Sequence, residues 1–264
     1  DILDLLFSNH PEDCLSCEKS GDCKLQDYCF EYGIAKGSYE GEKKDYKKDY
    51  SNHFYTYDPN KCILCGKCVR VCSELQCTNA IGLEGRGFDT KVVTPFDLGL
   101  ATSKCVSCGN CVAACPVGAL MPKVKEKIRY WELEKVKTTC SYCGVGCQIE
   151  LLVKGNKVVG VEPARGKANN GLLCVKGRFA YPFINHPDRL KTPLIKKNGK
   201  FEEATWDEAY RVIVDKIKEI KANYGSEAFA GLTSARCTNE ENYLFQKMFR
   251  AVIGTNNVDH CARL

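Results

Sequence analysis

Lys61-Cys62-Ile63-Leu64-Cys65-Gly66-Lys67-Cys68-Val69-Arg70-Val71-Cys72 decides how this chain is built, because its pattern returns from Lys104 to Cys115. Each copy holds four cysteines at x2, x2 and x3 spacing. Nineteen cysteines in 264 residues would suggest disulfides in a small secreted chain, but a chain this long needs no such staples. Close Cys-x2-Cys pairs are instead the spacing of thiolate metal sites, where neighbouring ligands must share one centre. Thiolate-bound metal implies a reducing compartment, so a cytoplasmic location is expected.

The two runs, the second closed by Cys115-Pro116, resemble the bacterial ferredoxin type. There the fourth cysteine of each run ligates the cluster of the other. One 4Fe–4S cluster should therefore take Cys62, Cys65, Cys68 and Cys115; the other should take Cys105, Cys108, Cys111 and Cys72. Cys72 is followed by Ser73 rather than proline, and the insertion between the runs is longer than in minimal ferredoxins. Neither departure removes a ligand, and a pair of zinc knuckles is the weaker reading.

Toward the N-terminus lies His10-x3-Cys14-x2-Cys17-x5-Cys23. Three thiolates and an imidazole suit a 4Fe–4S cluster or a structural zinc ion equally well. The surroundings Ser8-Asn9-His10-Pro11 and Cys17-Glu18-Lys19-Ser20-Gly21-Asp22-Cys23 resemble the one-histidine site of complex I large subunits and multimeric iron hydrogenases. That resemblance implies iron. Toward the C-terminus, Cys140-x2-Cys143-x3-Cys147 is completed by Cys174. This uneven spacing, with Cys174-Val175-Lys176-Gly177-Arg178, resembles the first cluster site of the molybdenum- or tungsten-pterin oxidoreductases. In that family the lysine lies between cluster and pterin, so the resemblance makes Lys176 a cofactor-binding residue. Fifteen of the cysteines are thereby used; Cys29, Cys77, Cys237 and Cys261 receive no metal, and isolated cysteines usually serve as small buried hydrophobes.

The formal charge of +5 alone would favour an acidic partner such as nucleic acid. Fifteen thiolates contribute about −15 and four oxidised cores at roughly +2 each return about +8, leaving about −2 for the loaded protein. The Lys/Tyr-rich segment Lys43, Lys44, Tyr46, Lys47, Lys48, Tyr50 could bind single strands, but with no recognition fold around it a solvated connection is the better reading. No nucleic-acid partner is expected. No run approaches the 18 or more apolar residues of a membrane span, and no signal segment opens the chain.

The expected fold is α+β and multidomain. A histidine-ligated cluster domain (1–40) is followed by a linker (41–60), a two-cluster ferredoxin-like domain (61–122) and a connector (123–137). A small β-rich cluster domain (138–191) leads to the start of a doubly wound α/β pterin-binding domain (192–264). Residues 148–154 and 157–162 flank a Gly155-Asn156 turn and predict a hairpin. Thr205-x-x-Glu208 and Thr238-x-x-Glu241 are capping boxes that open helices. The first carries an apolar face of Ala209, Tyr210, Ile213, Ile217 and Ile220 and stops at Gly225; the second runs to Gly254. A short strand is expected over 229–232, the alternation that begins a doubly wound domain.

Ser234-Ala235-Arg236-Cys237-Thr238-Asn239-Glu240-Glu241-Asn242-Tyr243 and the terminal Asn256-Asn257-Val258-Asp259-His260-Cys261-Ala262-Arg263-Leu264 resemble the catalytic subunit of metal-dependent formate dehydrogenases. There, Cys-Ala-Arg and an apolar residue precede the cysteine or selenocysteine that binds molybdenum or tungsten. The residue after Leu264 is then the metal ligand, and a frame closed at a selenocysteine codon is the expected reason for the stop. Asp1, not Met, opens the chain; many relatives carry a 2Fe–2S domain ahead of the histidine site, here either lost with the true N-terminus or never present.

The resemblance implies NAD-linked or electron-bifurcating formate oxidation, or carbon dioxide reduction, at a Mo- or W-bis-pterin guanine dinucleotide in the full-length enzyme. Four 4Fe–4S clusters would pass electrons to flavin/iron–sulfur NAD(P)H-reacting subunits or hydrogenase subunits, with ferredoxin a further partner. This chain alone should lack the active site. The alternative is a non-catalytic electron-transfer subunit of a complex I-like or hydrogenase assembly. Another pterin enzyme such as a nitrate reductase shares Cys140 to Cys174 but leaves the terminal run unexplained, and a zinc-rich nucleic-acid module would be colourless.

Overall fold

The computed structural model describes residues 1–124 and 128–262. Three connector residues and the Arg263-Leu264 end of the terminal run lie outside the described residues. The chain divides into two compact units, Asp1–Thr138 with Cys147–Pro182, and Thr139–Gly146 with the chain from Phe183 onward. Residues expected as one domain over 138–191 thus fall in both.

The first unit opens with helices α1 (Ile2–Ser8) and α2 (Lys24–Glu31). Strand β1 (Tyr55–Tyr57) follows, then α3 (Lys67–Arg70), the hairpin β2 (Gly82–Glu84) with β3 (Lys91–Val93), α4 (Asn110–Ala114) and β4 (Leu120–Pro122). β1 pairs antiparallel with β4, Tyr55 opposite Pro122 and Tyr57 opposite Leu120, so the two ends of the ferredoxin-like region are zipped together. The core runs through Phe7, Leu25, Tyr55, Tyr57, Val92, Leu100, Val117 and Leu120, and includes Cys23, Cys68 and Cys111. It is small, and the cysteines are part of its packing.

Part of the stretch 41–60, expected as a linker, is paired into a sheet of the first unit. Residues 55–57 form a strand, and Tyr55 is only 1% exposed. Alternation places Tyr55 and Tyr57 on the inner face with Thr56 between them. The Lys/Tyr-rich run before them masked this two-residue period.

Strands β5 (Glu134–Thr139), β6 (Gln148–Lys154) and β7 (Lys157–Pro163) form a three-stranded sheet. The β6–β7 hairpin turns at Gly155-Asn156, with Gly155 at φ +60°. Ile149 and Val161 are buried on one face of the hairpin, and Leu152 opposite Gly160 on the other. Helix α5 (Val175–Phe179) starts at Cys174.

In the second unit, the hairpin β8 (Leu194–Lys197) with β9 (Lys200–Glu203) precedes α6 (Trp206–Tyr224). The Thr205 capping box is formed in both directions and Gly225, at φ +81°, ends the helix. α6 buries none of its residues: Tyr210 and Ile213, on its expected apolar face, stay more than half exposed. β10 (Gly231–Thr233), α7 (Asn239–Lys247) and β11 (Val258–His260) make a strand–helix–strand unit. Its strands run parallel, Gly231 beside Val258, the arrangement with which an α/β layer begins. Gly231 is the close-approach point, because a Cβ there would lie 2.7 Å from the Phe249 ring. No helix among the described residues is long and apolar enough to cross a membrane.

Candidate metal centre

The two cysteine runs surround two cavities of about 320 and about 360 Å³, open mouths included. The first is lined by Cys62, Cys65 and Cys68 of one run and Cys115 of the other, with Tyr57, Ile63, Val117 and Leu120. The second is lined by Cys105, Cys108 and Cys111 together with Cys72, and by Tyr55, Val71, Ile81 and Leu100. Each cavity thus gathers three cysteines from its own run and the last from the other.

Local backbone explains the gathering. In each Cys-x2-Cys loop the second residue after the first cysteine takes a left-handed conformation, Leu64 at φ +55° and Ser107 at φ +54°. Non-glycine residues rarely adopt it. The turn aims an amide back at the cysteine: Leu64 N–H donates to Cys62 Sγ at 3.4 Å, and Ser107 N–H to Cys105 Sγ at 3.3 Å. Gly66 and Gly109, also left-handed, then start α3 and α4. Helix α3 passes into a π-helical turn over Val71–Leu75 that carries Cys72, whose Sγ accepts from Ala80 N–H at 3.4 Å.

Burial pushes the thiols of Cys68 and Cys111 up to about 12, with neighbouring cysteines adding to the effect. Cys62, Cys108 and Cys115 are raised for the same first reason. Four thiolates crowded into an apolar cavity are unstable without compensating positive charge, and a cationic metal core supplies it. The donor set fits such a group.

The first set lies beside the first cavity. His10 is buried, and its Nδ1 sits 2.9 Å from the Pro11 carbonyl. A proton on Nδ1 leaves Nε2 with a lone pair, and Nε2 is buried with no hydrogen-bond partner among the described residues. Burial also pulls the imidazole pKa down, toward the neutral form that can ligate metal. Cys14 and Cys23 are raised, first by burial and in part by the negative charge of their cysteine neighbours. A buried imidazole nitrogen without a protein partner among the described residues, in a loop with the partly buried Cys14 and Cys17 and the buried Cys23, suits an imidazole–thiolate metal site. Lys61 enters this region from the neighbouring run: its Nζ is 3.3 Å from Cys17 Sγ and 2.7 Å from Asp13 Oδ2.

The fourth set is not assembled within one unit: Cys140 and Cys143 belong to the second, Cys147 and Cys174 to the first. Lys176 is exposed on α5, two residues after Cys174. The same helix carries a buried anchor. Arg178 Nε donates to the Cys108 carbonyl at 2.9 Å, and its Nη2 to Asn110 Oδ1 at 3.0 Å. Leu173 N–H donates to that same Oδ1 at 3.1 Å, while Asn110 Nδ2 donates to Gln76 Oε1 at 3.0 Å. A Cβ on Gly109 would collide with the Arg178 chain. The Cys174 segment is therefore clamped onto the loop holding Cys108 and Cys111. Sequence reasoning passed over Asn110 and Lys61; a polar residue next to a ligand in both runs was the available signal.

In the second unit, the Ser234–Cys237 loop and the terminal Cys261 follow the carboxyl ends of the parallel strands β10 and β11, where open α/β sheets place their ligand crevices. Ala235 N–H donates to Cys261 Sγ at 3.5 Å.

Family models match along the chain. Residues 1–37 match the NADH-ubiquinone oxidoreductase-G iron-sulfur binding region, and residues 61–119 the 4Fe-4S dicluster domain. Residues 133–186 match the molybdopterin oxidoreductase Fe4S4 domain, and residues 189–264 the molybdopterin oxidoreductase model. Each of the four models matches its own stretch of the chain. Two provisionally named formate dehydrogenases of Staphylococcus aureus, from strains Mu50 and MW2, are each 36% identical over 304 residues. Each alignment takes in all of this chain, which spans 31% of the relative's length. A crystal structure of an NAD+-reducing NiFe-hydrogenase in the H2-reduced state is 33% identical, with TM-score 0.43, over 46% of this chain and 52% of that one.

Proposed function

We propose that this chain is the iron–sulfur portion of a formate dehydrogenase catalytic subunit, relaying electrons between a Mo- or W-bis-pterin guanine dinucleotide centre of the longer polypeptide and a flavin/iron–sulfur or hydrogenase partner, in the cytoplasm. The observation that carries the relay is the pair of cavities with exchanged fourth cysteines. The formate assignment rests on the relatives and on the terminal run, with the metal-binding cysteine or selenocysteine placed after Leu264.

Four 4Fe–4S clusters supply one-electron storage when bound. The residues proposed to hold them are His10, Cys14, Cys17 and Cys23; Cys62, Cys65, Cys68 and Cys115; Cys72, Cys105, Cys108 and Cys111; and Cys140, Cys143, Cys147 and Cys174. The chain's own contacts support an order of sites. Asn110 and Arg178 join the Cys174 segment to the Cys108 loop, and Lys61, next to Cys62, contacts Cys17. Apolar side chains line the two middle sites, and amide donors stabilise their thiolates. Lys176 is proposed to face the pterin side of the last cluster as a fixed cation.

The test is the full-length polypeptide purified from its native cell. The reading expects a denatured mass several-fold above 29.5 kDa, about 16 iron from these four sites, and formate-dependent dye reduction. A brown relay of this length without formate turnover, or a colourless zinc protein, would overturn it.

A further inference from the structure

We propose that Lys61 is a built-in counter-cation for the site of His10, Cys14, Cys17 and Cys23, a positioning residue that raises the midpoint potential of the cluster held there. The inference rests on the reading of that site as a 4Fe–4S centre and adds a tuning device to it.

Lys61 is 8% exposed, unusual for a lysine. Its ammonium has two partners: Cys17 Sγ at 3.3 Å and Asp13 Oδ2 at 2.7 Å. The side chain is aimed by a rigid turn, Pro59–Lys61, whose start is capped by Asp58 accepting from Asn60 N–H at 3.1 Å. Asp58 N–H is itself bonded to the Ala119 carbonyl at 2.8 Å. Gly118 lets both side chains approach, since a Cβ there would stand 3.0 Å from the Cys17 sulfur and 3.5 Å from Lys61 Cδ.

A lysine needed only to pair with Asp13 would not have to leave solvent. Burial strengthens its field and makes the N–H···S contact a charge-assisted one. Hydrogen bonds to cluster sulfurs and nearby positive charge both favour the reduced, more negative state. Asp13 opposes this. Its Oδ1 is buried with no hydrogen-bond partner among the described residues, so its negative charge is balanced chiefly by Lys61. The pair therefore forms a dipole whose positive end faces Cys17. Because Lys61 is followed by Cys62, the same residue that tunes one site is joined covalently to a ligand of the next.

The experiment is a potentiometric titration of the full-length holoprotein, followed by electron paramagnetic resonance, with iron counted per chain. Lys61→Met is expected to lower the reduced-to-oxidised ratio of the histidine-ligated cluster about tenfold at fixed potential, a shift of about 59 mV for one electron. Lys61→Arg should restore most of it. Asp13→Asn, at a side chain 40% exposed, should shift the same cluster upward, and its sign decides the matter if Lys61→Met loses the cluster. A midpoint indifferent to these changes, or an equal shift in every cluster, overturns the inference alone. A wild-type chain with no such cluster overturns the reading of the site as well.

Discussion

The two halves of the ferredoxin-like repeat share ligand spacing, left-handed loop residues and starting glycines, yet their cavities differ in what surrounds the sulfur. In the Cys105 cavity the Tyr55 hydroxyl lies 3.0 Å from Cys105 Sγ, and Asn52, which also donates to Ser107 at 2.9 Å, is at 4.0 Å. In the Cys62 cavity the corresponding aromatic is Tyr57, whose buried hydroxyl faces the Cys62 thiol without reaching the hydrogen-bond geometry that Tyr55 makes with Cys105. The difference teaches that the repeated part of the sequence sets where clusters can sit, while non-repeated residues from outside the runs set what each cluster experiences. Two sites with the same ligand count should therefore hold different potentials.

The largest way to break this comparison is to remove an exchanged ligand. Cys115→Ala should abolish the cluster of the opposite run, Cys62 to Cys68, and leave that of Cys105 to Cys111; iron per chain falls by about four. Loss of the Cys105-side signal instead would mean that each run ligates alone. Next is Arg178→Ala, which leaves the Cys108 carbonyl and Asn110 short of a charged donor in a buried site. It should cost about 3 kcal/mol, seen as a lowered midpoint in chemical denaturation. Smaller is Tyr55→Phe: loss of one O–H···S bond, about 1 kcal/mol, should lower the potential of the Cys105 cluster by some tens of millivolts (~40 mV), read by the same potentiometric titration. Smallest is Tyr57→Phe, which deletes a hydroxyl that faces Cys62 without a well-formed hydrogen bond and should leave potential and stability within about 0.5 kcal/mol of the parent. Equal responses at Tyr55 and Tyr57 would erase the proposed asymmetry.

The sequence made some of this legible and hid the rest for physical reasons. Ligand spacing is local, so the cysteine runs could be read directly, and so could the Thr205 and Thr238 caps, which are complete within four residues. The Gly155-Asn156 hairpin was readable for the same reason. The contacts that shape the sites are not local. Tyr55 reaches Cys105, Lys61 reaches Cys17 and Arg178 reaches Cys108 across long loops, and no periodicity announces such meetings. β1 was hidden because three residues are too few to show a period beside a lysine-rich run. The open face of α6 has another cause: an amphipathic pattern records what a helix is suited to cover, and Tyr210 and Ile213 find no cover among the described residues.

The exchanged fourth cysteine also acts as a clock. During synthesis no complete set of four exists when the first run leaves the ribosome, because its last member is Cys115. Nor can Cys72 be used before Cys105, Cys108 and Cys111 arrive. The two sets become complete at Cys111 and Cys115, four residues apart in the chain, within about a second at ~5–20 residues per second. On the proposed ligation, the four thiols of the first run, Cys62, Cys65, Cys68 and Cys72, wait unmetallated in an unfinished fold until then. The cell must keep them reduced over that interval and then deliver iron and sulfide for two clusters almost together.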